Sequence, residues 1–206
     1  WTYKFEIAAA RGAAAAFVVH ETGPAGYPYF VVINSWGREN FTPDAPHGNS
    51  NEVAVAGWLS LDRARRLMTQ AGQDFDALKR RALQRDFRPV SLGRSISLEA
   101  ANTLRPVRSR NVVAKLTGAH PERRHEYVVY TSHWDHLGVD PRMDGDRIFN
   151  GALDNASGTG AFLELAQAFA SLEKRPDRTL VFLAVTAEEQ GLLGAKYYVE
   201  HPLYPL

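Results

Sequence analysis

The 206-residue chain is 45% hydrophobic and carries 24 basic against 23 acidic residues, a formal net charge of +1. That is apolar material for one large core or two modest ones, and no overall field draws the chain to nucleic acid or to an anionic membrane. There is no cysteine, which excludes disulfides, thiolate catalysis and Cys-ligated zinc and leaves any metal to His, Asp or Glu.

No apolar stretch approaches the roughly 18 residues of a membrane span, and no signal peptide is visible. The chain opens on Trp1 and closes on "HPLYPL" directly after a helical pattern, so it reads as a processed or truncated piece. Residues 1–92 alternate small-residue segments with short β-type runs. "AAARGAAAAFVVHE" predicts a short helix, a turn at Gly12 and a strand through Phe17, Val18 and Val19. "YPYFVVIN" and "EVAVAGWL" predict two more strands, separated by a Pro-, Gly-, Asn- and Ser-rich loop over 35–51. Ser60 or Asp62 can cap a helix in which Ala64, Leu67, Met68 and Ala71 share a face, and a second helix carries Phe75, Leu78 and Ala82. These helices also bear Arg63, Arg65, Arg66, Lys79, Arg80, Arg81 and Arg85; with Asp74, Asp76 and Asp86 interspersed and no interleaved aromatics, this reads as a solvated face rather than a nucleic-acid patch.

From residue 93 to 206 the texture changes. "RSISLEA" alternates as a half-buried strand with Ile96 and Leu98 on one face, and "NVVAKLTG" predicts another strand. Then come a strand over 126–132, a long loop, a helix over 157–172, a strand over 179–185 and a helix from about Gly191 to Glu200. Strands alternating with helices predict an α/β layer with a mixed, mainly parallel sheet, whose site lies beyond the carboxyl ends of the strands.

Polar residues collect at those ends. "SHWDHLG" follows the first strand; in extended chain His133 and Asp135 point the same way, so the carboxylate can bond one imidazole nitrogen and leave the other for a metal. "NGALDNASGTG" sets Asp154 just before a helix, with Asn155 or Ser157 as caps. "TAEEQGLLG" follows the last strand and sets Glu188 and Glu189 at the threshold of a helix, whose dipole favours negative charge. Each cluster alone has a plainer account: a surface pair, a helix cap, a helix start. Together, three strand ends deliver a metal-competent residue to one sheet edge, with spacings of 21 residues (133 to 154) and 35 residues (154 to 189). His and carboxylates without cysteine suit zinc, and a bridging Asp suits a metal pair about 3.5–4 Å apart.

"SHWDH", "GALDNASG" and "TAEEQGLLG", in that order over residues 133–194, resemble the signatures of the co-catalytic dinuclear-zinc aminopeptidases, a family that also contains glutamate carboxypeptidases. The preceding part, through "AAARGAAAAFVV" and "VAVAGWLS", resembles the protease-associated domain often inserted in these peptidases. The resemblance implies a truncated zinc exopeptidase fold over 93–206 beside a smaller α+β domain over 1–92. It implies that His133 binds one zinc with Asp135 orienting its ring, that Asp154 bridges two ions, and that Glu189 binds the other. Glu188 is then the general base that takes a proton from the metal-bridging water and passes it to the leaving amine. The family commonly has a cis peptide after the bridging aspartate, here Asp154–Asn155.

The resemblance also implies a peptide substrate and a periplasmic or secreted setting, and it admits a carboxypeptidase, a glutaminyl cyclase or a non-catalytic receptor-like relative as alternatives. The family draws two further ligands from downstream, an Asp and a His, which this chain would meet only after Leu206; the piece alone is expected to hold metal poorly and to leave an apolar sheet edge open to self-association. His201 matches neither ligand, His20, His47, His120 and His125 read as surface histidines, and His136 reads as an outer partner or surface residue rather than a ligand.

Overall fold

The computed structural model describes residues 1–44 and 52–205, so residues 45–51 of the predicted 35–51 loop, His47 included, lie outside the described residues. The chain divides into two compact units: Trp1–Asn40 with Asp44–Thr103, and Leu104–Leu206 with Phe41–Pro43.

In the first unit, helix α1 (Thr2–Ala10) turns at Gly12, whose φ of +75° suits glycine, into strand β1 (Ala15–His20). A short helix α2 (Thr22–Ala25) leads to α3 (Tyr29–Trp36). Strand β2 (Val55–Ser60) lies parallel to β1 in register from Ala15↔Val55 to His20↔Ser60, and α4 (Leu61–Gln70) and α5 (Phe75–Arg81) follow. The predicted α4 cap at Ser60 marks the boundary but makes no side-chain bond; Asp74 does cap α5, accepting from the Ala77 N–H at 2.9 Å.

The expected strand in "YPYFVVIN" is instead helix α3. Pro28 is extended immediately before it, and the run then buries a helical face at positions i, i+3 and i+7. The Tyr29 hydroxyl donates to the Trp58 carbonyl at 3.2 Å, Val32 is buried, and Trp36 meets Trp1 and Trp58 edge-on at 5.4 and 5.8 Å. Phe30 and Ile33 fall outside that face and are exposed. So short an apolar run has no period that separates strand from helix, and tertiary packing decides it. His20, expected at the surface, is 4% exposed between the rings of Tyr27 and Tyr29. Its place as the inward-facing last residue of β1 explains this.

The expected strand over 94–100 is irregular chain. Gly93 turns it with φ +58°, Ile96 and Leu98 are exposed, and no described strand pairs with it; alternation without a ladder partner does not make a strand.

The second unit holds β3 (Val112–Leu116), β4 (Tyr127–His133), the two-residue strands β5 (Gly138–Val139) and β6 (Ile148–Phe149), α6 (Gly158–Ala170), β7 (Thr179–Val185) and α7 (Leu193–Glu200). The sheet order is β3-β7-β4, with β7 parallel to β4 and antiparallel to β3. This is a mixed α/β sheet with flanking helices. All seven residues of β7 are buried, because it is central and covered on both faces. On one side Phe182 stacks on Tyr130 at 5.5 Å and meets Phe162 of α6 edge-on at 5.6 Å; on the other Leu183 and Val185 pack with Tyr198 of α7.

Candidate metal centre

Because β4 and β7 are parallel and end together at His133↔Val185, the loops after them emerge at the same edge of the sheet. The ladder runs one bond further, with the Trp134 N–H donating to the Val185 carbonyl at 3.1 Å. Between α6 and that edge a wide turn, Ala152–Ser157, carries Asp154 and Asn155 off helical geometry. The Asp154–Asn155 peptide is cis, as the resemblance implies.

Ligand-type atoms of His133, Asp154 and Glu189 lie within 4.8 Å of one another. His133 Nε2 is 3.0 Å from Asp154 Oδ1 and 3.8 Å from Glu188 Oε2, so one ring nitrogen faces the carboxylates. Its other nitrogen, Nδ1, is held at 3.0 Å by the backbone carbonyl of Asp135. Asp154 does not cap α6: its side chain is largely exposed at the cluster, and Asn155 accepts the Gly158 N–H instead, at 3.1 Å. Asn155 also donates to Ser132 Oγ at 3.3 Å, and Thr159 Oγ1 donates to the His133 carbonyl at 3.0 Å, tying the turn to the end of β4.

Asp135 departs from its expected contact. Its carboxylate stands 3.9 Å from His133 Nδ1 and accepts the backbone N–H groups of Glu188 at 3.0 Å and Glu189 at 3.2 Å. The strand ends at His133, so the i, i+2 parity of an extended segment lapses, and two orphan donors of the next loop capture the carboxylate. The acidic pair likewise is not a helix start, since α7 begins only at Leu193. The two residues occupy a tight turn in which the Glu188 carbonyl accepts from Gly191 and Leu192, with Ala187 (φ +51°) and Leu192 (φ +63°) both left-handed. Such positions cost on the order of 1–3 kcal/mol for a non-glycine residue and persist where surrounding bonds over-determine them.

Asn111, ahead of β3, supplies such bonds. Its Oδ1 accepts the Thr186 N–H at 3.1 Å and its Nδ2 donates to the Gly194 carbonyl at 2.8 Å, clamping both ends of the 187–193 turn. Gly194 is required there: a Cβ would come within 2.2 Å of the Thr186 carbonyl oxygen. No sequence pattern marks Asn111. His136, read from the sequence as an outer partner or surface residue, has its Nδ1 2.7 Å from Glu189 Oε1.

Burial lowers the His133 pKa, but the Asp135 carbonyl and the charges of Glu188, Asp135 and Asp154 outweigh it, so the imidazole stands above its usual range. Burial raises Glu188 above the usual carboxylate range; His133 opposes this and Glu189, Asp154 and Asp135 reinforce it. His201 is apart from the cluster, stacked on Tyr197 at 4.3 Å, while His120 accepts the Glu122 and Arg123 N–H groups in a local turn.

Residues 111–205, from the clamp at Asn111 through α7, match the sequence profile of peptidase family M28. Among similar proteins, a probable zinc metalloprotease of Leptosphaeria maculans is 45% identical over 93 residues, covering 45% of this chain and 20% of the relative. The aminopeptidase YwaD of Bacillus subtilis is 39% identical over 79 residues, 38% of this chain and 15% of the relative. The aminopeptidase NAALADL1 of Rattus norvegicus is 32% identical over 119 residues, 55% of this chain and 14% of the relative. The chain thus spans a fifth or less of the length of these relatives. The M28 segment contains the whole cluster: His133, Asp135, Asp154, Glu188 and Glu189. No helix among the described residues is long and apolar enough to cross a membrane.

Proposed function

We propose that this chain carries the core of the metal site and the general base of a zinc-dependent exopeptidase that removes N-terminal residues from peptides. The observation that supports this best is the convergence of His133, Asp154 and Glu189 at the carboxyl edge of the β4–β7 pair, with Glu188 turned toward the same imidazole. One imidazole nitrogen and two carboxylates, without a thiolate, form a donor set suited to zinc. His133 and Glu189 would each hold an ion and Asp154, reaching into the open side of the cluster, would bridge them. Zinc, when bound, supplies Lewis acidity that acidifies water and polarises a carbonyl.

The chain's own residues divide the remaining work. Adjacent side chains diverge, so Glu189 serves as ligand while Glu188 accepts a proton from the attacking water and returns it to the leaving amine. Asp135 sets both carboxylates at once by accepting their backbone N–H groups.

The test compares hydrolysis of amino-acid amides with that of N-blocked peptides by the full-length parent of this chain, with and without chelator. Chelator-sensitive release from free N-termini is expected. Hydrolysis confined to N-blocked peptides would overturn the aminopeptidase reading and favour a carboxypeptidase of the same family.

A further inference from the structure

We infer that His136 is a positioning residue for Glu189, and that the β5–β6 hairpin exists at this edge of the sheet to hold His136 in place. The inference rests on the reading of Glu189 as a metal ligand. His136 Nδ1 lies 2.7 Å from Glu189 Oε1, and since an ionised carboxylate only accepts, Nδ1 carries the proton and donates. With its backbone N–H bound to Asp135 Oδ2, Glu189 is fixed at both ends. A glutamate side chain free to rotate loses rotamer entropy when it takes up an ion; one already tethered through Oε1 has lost it on folding and presents Oε2.

The imidazole is itself braced. Phe149 meets it edge-on at 6.3 Å, and Gly151, at φ +64°, packs its backbone where a Cβ would sit 3.0 Å from both the Asp154 carbonyl oxygen and His136 Cγ and 3.1 Å from His136 Cβ. Phe149 is held by the strand pairing Gly138↔Phe149 and Val139↔Ile148, which folds the long loop after β4 back over itself, and Gly151 follows it into the turn that carries Asp154. The hairpin therefore acts on the cluster through one side chain.

The experiment is equilibrium titration of the full-length parent of this chain with zinc, and with cobalt followed by its visible absorption, for wild type, His136→Ala, His136→Asn, His136→Gln and Glu189→Gln. The nitrogen of an asparagine amide falls where Nδ1 does, whereas that of glutamine falls where Nε2 does. His136→Ala is expected to weaken binding by about tenfold to a hundredfold, the usual effect of losing an outer partner. His136→Asn should restore affinity to within a few fold and His136→Gln should not. Thermal melting of each variant checks the fold, and His136→Asn keeps the test decisive if His136→Ala melts early. Affinity unchanged in His136→Ala, or restored equally by Asn and Gln, would overturn the inference while leaving Glu189 as a ligand. Affinity unchanged in Glu189→Gln would overturn the ligand reading and this inference with it.

Discussion

Two parallel strand pairs, β1–β2 and β4–β7, run in register to a histidine at the carboxyl end, and only one of them builds a site. In the first, His20 faces inward between Tyr27 and Tyr29, and its Nε2 has no hydrogen-bond partner among the described residues. The neighbouring carboxylate, Glu21, is taken by Lys79 at 2.6 Å. In the second, His133 has one nitrogen fixed by a backbone carbonyl and the other aimed at Asp154 and Glu188. Parallel topology supplies an edge where loops converge. Chemistry requires more: carboxylates left uncommitted by lysine or arginine, and loops pinned tightly enough to aim them.

The comparison breaks most directly at the two histidines. His133→Ala should weaken zinc binding by more than the roughly tenfold to hundredfold effect of an outer partner, whereas His20→Ala should leave it unchanged, both read by calorimetric titration. An equal loss in the two variants would mean that global stability, and not the strand-end cluster, governs binding. The strands beneath differ as well. Val181, fully buried in β7, should cost about 2 kcal/mol as Val181→Ala, against about 1 kcal/mol for half-buried Val19→Ala in β1, measured by urea unfolding of each unit.

Pinning is tested by Asn111→Ala, which strips a backbone donor and a backbone acceptor of their partners; a loss of about 1–2 kcal/mol is expected, with faster amide exchange at Thr186 through Gly194. The smallest effect belongs to the committed charges of the first unit. The Arg65 guanidinium bonds to Asp76 and holds its carboxyl below the usual range. A depressed carboxylate stabilises the fold above its unfolded pKa and ceases to do so as pH falls through the folded one, so the melting difference between wild type and Arg65→Ala should shrink on acidification. Both groups are solvent-exposed, and the difference should be small at any pH and smaller still in salt.

Much of the second unit was legible in the sequence because its signals were redundant. The run 180–185 is apolar throughout, bounded by Thr179 and Thr186 and followed by a helical period, and the predicted strand 179–185 is β7 to the residue. His133, Asp154 and Glu189 were legible for a different reason: each follows a strand or precedes a helix, and parallel order brings such positions to one edge. What stayed illegible depends on contacts between distant residues. "YPYFVVIN" is a helix because Trp1 and Trp58 await its aromatic face, and Ile96 and Leu98 alternate without a strand to pair with. The Asp135 carboxylate turns from His133 to the Glu188 and Glu189 N–H groups because a loop 53 residues away leaves those donors open. Neither that contact nor the Asn111 clamp has a local pattern from which to read it.

The proposed function divides the labour of one acidic doublet: Glu189 would hold metal and Glu188 would not. Zinc titration of Glu188→Gln beside Glu189→Gln tests it, since both changes remove one charge from the same turn and keep its shape. Glu189→Gln is expected to lose zinc while Glu188→Gln binds within a few fold of wild type. Equal loss in both, or loss confined to Glu188→Gln, would contradict it.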